Sequence, residues 1–238
     1  MGDRGPQHPD WLLDERATAG RENLDGAHVA RYDAKEDGDA AGEVRLLESL
    51  GLDATSTVVD LGAGTGQFTL AVAPVCLRVV AVDVSPVMLE RLRRKVAGTG
   101  HGNIECVAAG FLTYEHRGEP VDFAYSRYAL HHLPDFWKAQ ALVRLGGFMR
   151  PGAVLRLWDV VYSFQPDEAA ERIESWCATG ATGVEIDWGR AELEEHVRDE
   201  HSTFTWLLEP MIERAGFRID DAAYSADGIF ARYLARRR

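Results

Sequence analysis

Val58-Val59-Asp60-Leu61-Gly62-Ala63-Gly64-Thr65-Gly66-Gln67-Phe68 is the stretch that decides the fold. An apolar run ends in an acid, three glycines alternate with small residues, and Phe68-Thr69-Leu70-Ala71-Val72-Ala73 continues at helical length. The pattern reads as a strand, a tight turn and a helix start. Glycines there permit positive φ and, lacking Cβ, let a ligand lie against the backbone. The first N–H groups of the helix are expected to face that ligand. The spacing is G-x-G-x-G. It is neither the dinucleotide fingerprint G-x-G-x-x-G nor a phosphate loop, which needs a lysine after its last glycine. An acid at Asp60 disfavours a pyrophosphate and favours a ligand with a cationic group.

Outward from this turn, strands and helices alternate. Thr57–Asp60 is read as strand 1 and Arg78–Asp83 as strand 2, again ending in an acid. Ser85-Pro86 opens a helix through Lys95, serine as N-cap and proline at the first helical position. Ile104–Val107 and Val121–Ser126 are strands 3 and 4; Trp137–Met149 is a helix ended by Arg150-Pro151-Gly152; Ala153–Asp159 is strand 5. Such alternation implies a parallel sheet covered on both faces. Ligands then bind at the carboxyl ends of the strands, where strand order reverses. Residues 11–50 read as helices, the last around Glu43–Leu50 and stopped by Gly51. Pro166–Ala178 and Trp206–Ala215 are also read as helices, the second kinked or delayed by Pro210. Phe217–Ala222 and Ile229–Leu234 form an antiparallel edge hairpin through Asp227-Gly228. The expectation is one domain over residues 1–238: a helical cover (11–50), a core (51–160), a helical insert (161–206), and a last helix with the edge hairpin (207–238).

The formal net charge of −12 would repel a polyanion, and no lysine- or arginine-rich run offsets it. No nucleic-acid partner is therefore expected. No segment approaches the ~20 apolar residues of a membrane span, and the N-terminus lacks the apolar core of a signal peptide. Cys76, Cys106 and Cys177 are far apart and read as reduced thiols. A cytoplasmic protein without membrane association is expected; oligomeric state is not legible.

Four segments together resemble the class I S-adenosylmethionine-dependent methyltransferases, most of all their small-molecule (type 11) branch. They are Val59–Gly66, Val82–Leu89 (Val-Asp-Val-Ser-Pro-Val-Met-Leu), Tyr125–Leu133 (Tyr-Ser-Arg-Tyr-Ala-Leu-His-His-Leu) and Leu145–Asp159 around Arg150-Pro151-Gly152. The resemblance implies a Rossmann-like, doubly wound α/β fold. Its mostly parallel seven-stranded sheet would carry an antiparallel edge hairpin. The implied reaction is methyl transfer from S-adenosylmethionine to a small-molecule acceptor, with S-adenosylhomocysteine as product.

On that resemblance Gly62, Ala63, Gly64 and Gly66 admit the cofactor's tail and ribose, and Asp60 takes up its ammonium. Asp83, about 20 positions beyond the first glycine, accepts both ribose hydroxyls. Val84 and Met88 flank the adenine. The family usually carries an acid after strand 3, but Ala108-Ala109-Gly110-Phe111-Leu112 has none. Backbone at Gly110 and Phe111, with the Phe111 ring, is expected to replace it. Ser126 and Arg127 lead the segment that runs beside the transferring methyl, where His131 and His132 are the candidate general bases. A base is needed only if the acceptor must lose a proton, and then contributes about 10²–10⁴-fold. Tyr32 is implied to fold over the sulfonium, a cation–π contact of ~0.5–2 kcal/mol. His131-His132 with Asp135 has metal-ligand types, but no third ligand is apparent and no metal is expected. Trp158, Tyr162, Phe164, Trp176, Trp188 and Phe204 suit a cover over an apolar or aromatic acceptor, and His196 and His201 are weaker base candidates. Three other readings compete: a nicotinamide-dependent oxidoreductase, a non-catalytic module that only holds the cofactor, and an RNA or protein methyltransferase.

Overall fold

The computed structural model describes residues 9–20, 23, 39–179 and 189–238. The apolar runs form β1 (Thr57–Leu61), β2 (Arg78–Asp83), β3 (Ile104–Ala108), β4 (Val121–Arg127) and β5 (Met149–Tyr162). Two residues, Thr203–Phe204, form β6; Phe217–Tyr224 and Phe230–Arg237 are β7 and β8. The sheet order is β3-β2-β1-β4-β5-β8-β7, with β6 on β5 to one side. Pairing is parallel from β3 through β5; β8 is antiparallel to both β5 and β7. This is the α/β sheet and edge hairpin that the sequence implies.

Strands covered on both faces need apolar residues at successive positions, and β1 supplies them. Val58 packs with Val44 and Leu47 of α1 (Ala40–Ser49) and Phe68 and Val72 of α2 (Gln67–Val72). Its neighbour Val59 faces the opposite side, toward Leu142 and Leu145 of α4 (Asp135–Phe148) and Leu208 and Ile212 of α7 (Thr205–Arg214). α3 (Pro86–Thr99) presses Leu89 and Leu92 on Ala81. β1 lies between β2 and β4, so strand order reverses there and the carboxyl ends of these strands form a crevice.

Three local expectations are corrected. Residues 9–20 form turns and not a helix, because the Asp14 carboxylate takes the N–H groups of Arg16 and Ala17 (3.1 and 3.3 Å). β5 starts at Met149: Arg150-Pro151-Gly152 is a bulge, with Gly152 at φ 81° and pairing slipping from Val121↔Met149 to Phe123↔Val154. Pro210 sits inside α7 and does not delay it, since the helix already starts at Thr205. Within the insert, α5 (Ala169–Thr179) and α6 (Arg190–Asp199) build a small core of their own, Trp176, Cys177 and Leu193 against Val160, Phe164 and Ile229. Trp188 lies outside the described residues. Among the described residues no helix is long and apolar enough to cross a membrane.

Candidate active site

The glycine turn bonds to itself and to β2. The N–H groups of Gly62 and Ala63 both go to the Val82 carbonyl (2.9 and 3.0 Å), and that of Gly66 to Ala63 O (2.9 Å). Gly64 N–H donates to Asp83 Oδ2 (2.8 Å). Four N–H groups of the turn are thus used, so it is no anion nest. Gly62 and Gly64 have φ of 73° and 54°. A Cβ on Gly62 would come 2.2 Å from Ala129 Cβ, so the turn touches the segment after β4. Gly66 (φ 88°) does not line the cleft; its missing Cβ makes room for Leu92 Cδ1, 2.1 Å from the ideal position.

Two recesses meet at Gly62. The smaller is lined by Asp60, Ala63, Gln67, Phe68, Tyr125 and Arg127. Asp60 is buried, and Thr69 Oγ1 donates to its Oδ2 (2.6 Å). The larger recess is lined by Gly64, Asp83, Val84, Met88, Ala109, Gly110 and Phe111 on one side, and by Tyr128, Ala129, His132 and Leu133 on the other. Asp83 Oδ1 accepts the Ser85 N–H (2.7 Å). Burial raises the Asp83 pKa against the pull of these backbone donors. Ser85 caps α3, as its sequence implies: its Oγ accepts the Met88 N–H (3.2 Å) and donates to Asn23 O (2.5 Å).

A carboxylate that sequence reasoning missed also lines the larger recess. Glu15, from the turns before the core, accepts the Leu112 N–H and the Thr113 hydroxyl, each at 3.0 Å. Burial raises its pKa. A Cβ at position 110 would fall 2.3–2.5 Å from this carboxylate, so Gly110 is what admits it. The absence of an acid in Ala108–Leu112 was the one signal in the sequence. Tyr128 was missed too. It is the only non-glycine among the described residues with positive φ (50°), a strained conformation of the kind that clusters at sites.

The two histidines part. They sit in one 3-10 turn, Leu130–His132, where successive side chains diverge by a third of a turn. His132 lines the larger recess, its Nε2 3.3 Å from Asn23 Nδ2. Burial, then the adjacent His131, pushes the His132 pKa down to about 3. His131 does not line the recess. Its N–H donates to Asp159 Oδ2 (3.0 Å), its Nδ1 is bonded to Asp159 Oδ1, and its Nε2 lies 3.0 Å from Glu200 Oε2. Burial alone would lower the His131 pKa, but the Asp159 and Glu200 carboxylates prevail and raise it to about 10. Ser126 is buried in β4 and lines neither recess. His196 bonds Ser202 Oγ through Nε2 (2.8 Å), and His201 is exposed. Tyr32 lies outside the described residues.

Together these groups make two joined recesses with acids at Asp60, Asp83 and Glu15 and an apolar slot at Val84, Met88 and Phe111. They fit a nucleoside that also carries cationic groups, and they offer a dinucleotide's pyrophosphate no bare turn.

Comparison with known proteins agrees. Residues 58–152 match the family model described as a methyltransferase domain. An uncharacterized methyltransferase of Geobacillus kaustophilus is 28% identical over 199 residues, 83% of this chain and 86% of that protein. A trans-aconitate 2-methyltransferase of Methylobacterium radiotolerans is 31% identical over 60% of this chain and 50% of its own length. In fold, the chain is similar to the putative methyltransferase solved in complex with the Haloferax volcanii Trm112 activator. That match has a TM-score of 0.67 at 17% identity and covers 91% of this chain and 97% of the other. By its glycine turn, its acid-tipped strands and these relatives, the chain is similar to the class I S-adenosylmethionine-dependent methyltransferases.

Proposed function

We propose that this protein transfers the methyl group of S-adenosylmethionine to a small organic acceptor in the cytoplasm. The observation that carries the cofactor half is the pair of recesses sharing Gly62. Asp60 in the smaller takes the ammonium of the amino-acid tail. Asp83 in the larger accepts the ribose hydroxyls, and Glu15 accepts the adenine amino group in place of the acid that β3 lacks. Met88, Val84 and Phe111 hold the ring by apolar contact.

The cofactor supplies a methyl group already activated as a sulfonium. What remains for the chain is to bind, orient and exclude water, which can supply most of the acceleration. Tyr128, Ala129, His132 and Leu133 form the far wall of the larger recess, and His132 is the imidazole presented to the acceptor. His131, turned away from the recess toward Asp159 and Glu200, supports that wall from behind. Two observations favour a small acceptor. The net charge of −12 opposes a nucleic acid. The aromatic groups beyond the site also pack closely, Tyr128 on Trp158 and on Phe230 with ring centroids 5.4 and 5.8 Å apart. One relative is named for a small tricarboxylic acceptor.

The test is S-adenosylhomocysteine formation by the full chain against a panel of small carboxylic acids, phenols and amines, with tRNA and a protein extract alongside. Turnover on a small compound is expected. Turnover confined to the macromolecules would overturn the small-acceptor reading, and cofactor binding without turnover on anything would leave a non-catalytic holder.

A further inference from the structure

We infer that a divalent metal ion of the zinc type is held by His131, His196 and Glu200, fastening the insert to the core beside the acceptor wall. His131 follows β4, His196 lies on α6, and Glu200 caps that helix. Their donor atoms lie within 4.8 Å of one another. His131 Nε2 is 3.0 Å and His196 Nδ1 is 2.5 Å from the same Glu200 oxygen. Yet this buried Oε2 has no partner at hydrogen-bond angles. Two ring nitrogens and a carboxylate converge on one point, as ligands around a shared centre do.

The outer face of each ring is already engaged. His131 Nδ1 is bonded to Asp159 Oδ1, and His196 Nε2 lies 2.8 Å from Ser202 Oγ. Metal-binding imidazoles almost always carry such a partner on the far nitrogen, which fixes the tautomer and aims the near one. Charge points the same way. Asp159 and Glu200 bring two negative charges into a buried place, which is costly unless balanced. A dication with two neutral imidazoles makes the cluster neutral.

Two imidazoles and one carboxylate suit zinc, cobalt or nickel better than magnesium or calcium, which prefer all-oxygen sites. Three protein ligands leave a fourth position for water. Asp135, the acid that sequence spacing offered, is engaged elsewhere, with Lys138 Nζ (2.9 Å) and Thr203 Oγ1 (3.1 Å). Two of the three ligands, His196 and Glu200, come instead from the insert. The His131 and His132 ring centroids are 4.3 Å apart, so an ion here would stiffen the wall that carries His132.

The experiment uses the full chain without a polyhistidine tag, stripped with chelator and titrated with cobalt(II), then zinc. One equivalent of cobalt should bring up the intense visible bands of a four-coordinate site, and zinc should abolish them and raise the melting temperature. His196→Ala and Glu200→Gln should lose this binding. Asp159→Asn, which takes the charge from the outer partner of His131, should weaken zinc by about 10- to 100-fold. Two results overturn the inference: no bands together with a melting temperature indifferent to zinc and chelator, or equal uptake by His196→Ala and the parent. Either would leave the cluster as an ion-pair network. Methyl transfer would stand, because cofactor titration is read separately.

Discussion

Removing the Asp83 carboxylate should weaken the cofactor in a calculable way. The side chain is buried and accepts two backbone N–H groups, from Gly64 and Ser85, at 2.8 and 2.7 Å. Each of its oxygens keeps a further lone-pair direction for a ribose hydroxyl. In Asp83→Ala the ligand loses these charge-assisted bonds, each worth about 1.5–3 kcal/mol. Water entering the vacated space satisfies the two N–H groups and part of the ribose, so about one such bond is lost net. At 1.4 kcal/mol per decade the dissociation constant should rise about 10- to 150-fold. Asp83→Asn, which retains one acceptor oxygen, should fall between the parent and Asp83→Ala. The assay is calorimetric titration with S-adenosylhomocysteine, with circular dichroism as the check on folding. An unchanged dissociation constant in a normally folded Asp83→Ala would remove Asp83 from the site and refute the reasoning.

Glu15→Gln should also weaken the cofactor, by about tenfold if one charge-assisted bond is lost; an unaltered affinity would make Glu15 a prop for Leu112 and nothing more. Because burial raises the pKa of both Asp83 and Glu15, and a hydrogen-bond-donating ligand selects their ionised forms, cofactor affinity should fall as pH drops through those raised values. That slope should be shallower in Glu15→Gln, whereas parallel profiles would contradict it. The ligand-free protein has the opposite sign. Carboxyls that hold protons more tightly folded than unfolded lose stability as pH rises from the ordinary carboxylate value through the raised one, which urea unfolding across that range will register. Glu43→Ala breaks a buried two-bond pair with Arg156 (2.7 and 2.8 Å) and should cost about 3–5 kcal/mol in urea unfolding; a loss below about 1 kcal/mol would show that Arg156 finds water. Gly66→Ala meets both a φ of 88° and Leu92, and should cost about 1–3 kcal/mol; a neutral effect would mean that the turn relaxes.

The parts of the site that lie close in sequence were legible, and those that meet only through tertiary packing were not. Asp60, the glycines and Asp83 fall on one edge because successive strands of a parallel sheet must end together, so their types and spacing announced the crevice. The bonding of the turn was not legible, since the Val82 carbonyl that occupies the N–H groups of Gly62 and Ala63 lies on another strand. Glu15 reaches Gly110 from 95 positions away along a chain of turns with no periodic signature. Neighbouring histidines in a 3-10 turn must point apart, but spacing alone cannot say which faces the cleft. That choice was made by Asp159 and Glu200, one on β5 and one beyond α6. Likewise His196 and Glu200 stood four apart in plain view, yet nothing local brought them to His131.

The central claim is that two adjoining, acid-lined recesses grip one positively charged nucleoside. Calorimetry of the ligand-free chain with S-adenosylmethionine and, separately, with a nicotinamide dinucleotide tests it most directly. One-site binding of the sulfonium compound, weakened in Asp60→Asn, and no heat from the dinucleotide are predicted. A flat titration with S-adenosylmethionine, or a tighter grip on the dinucleotide, would contradict it.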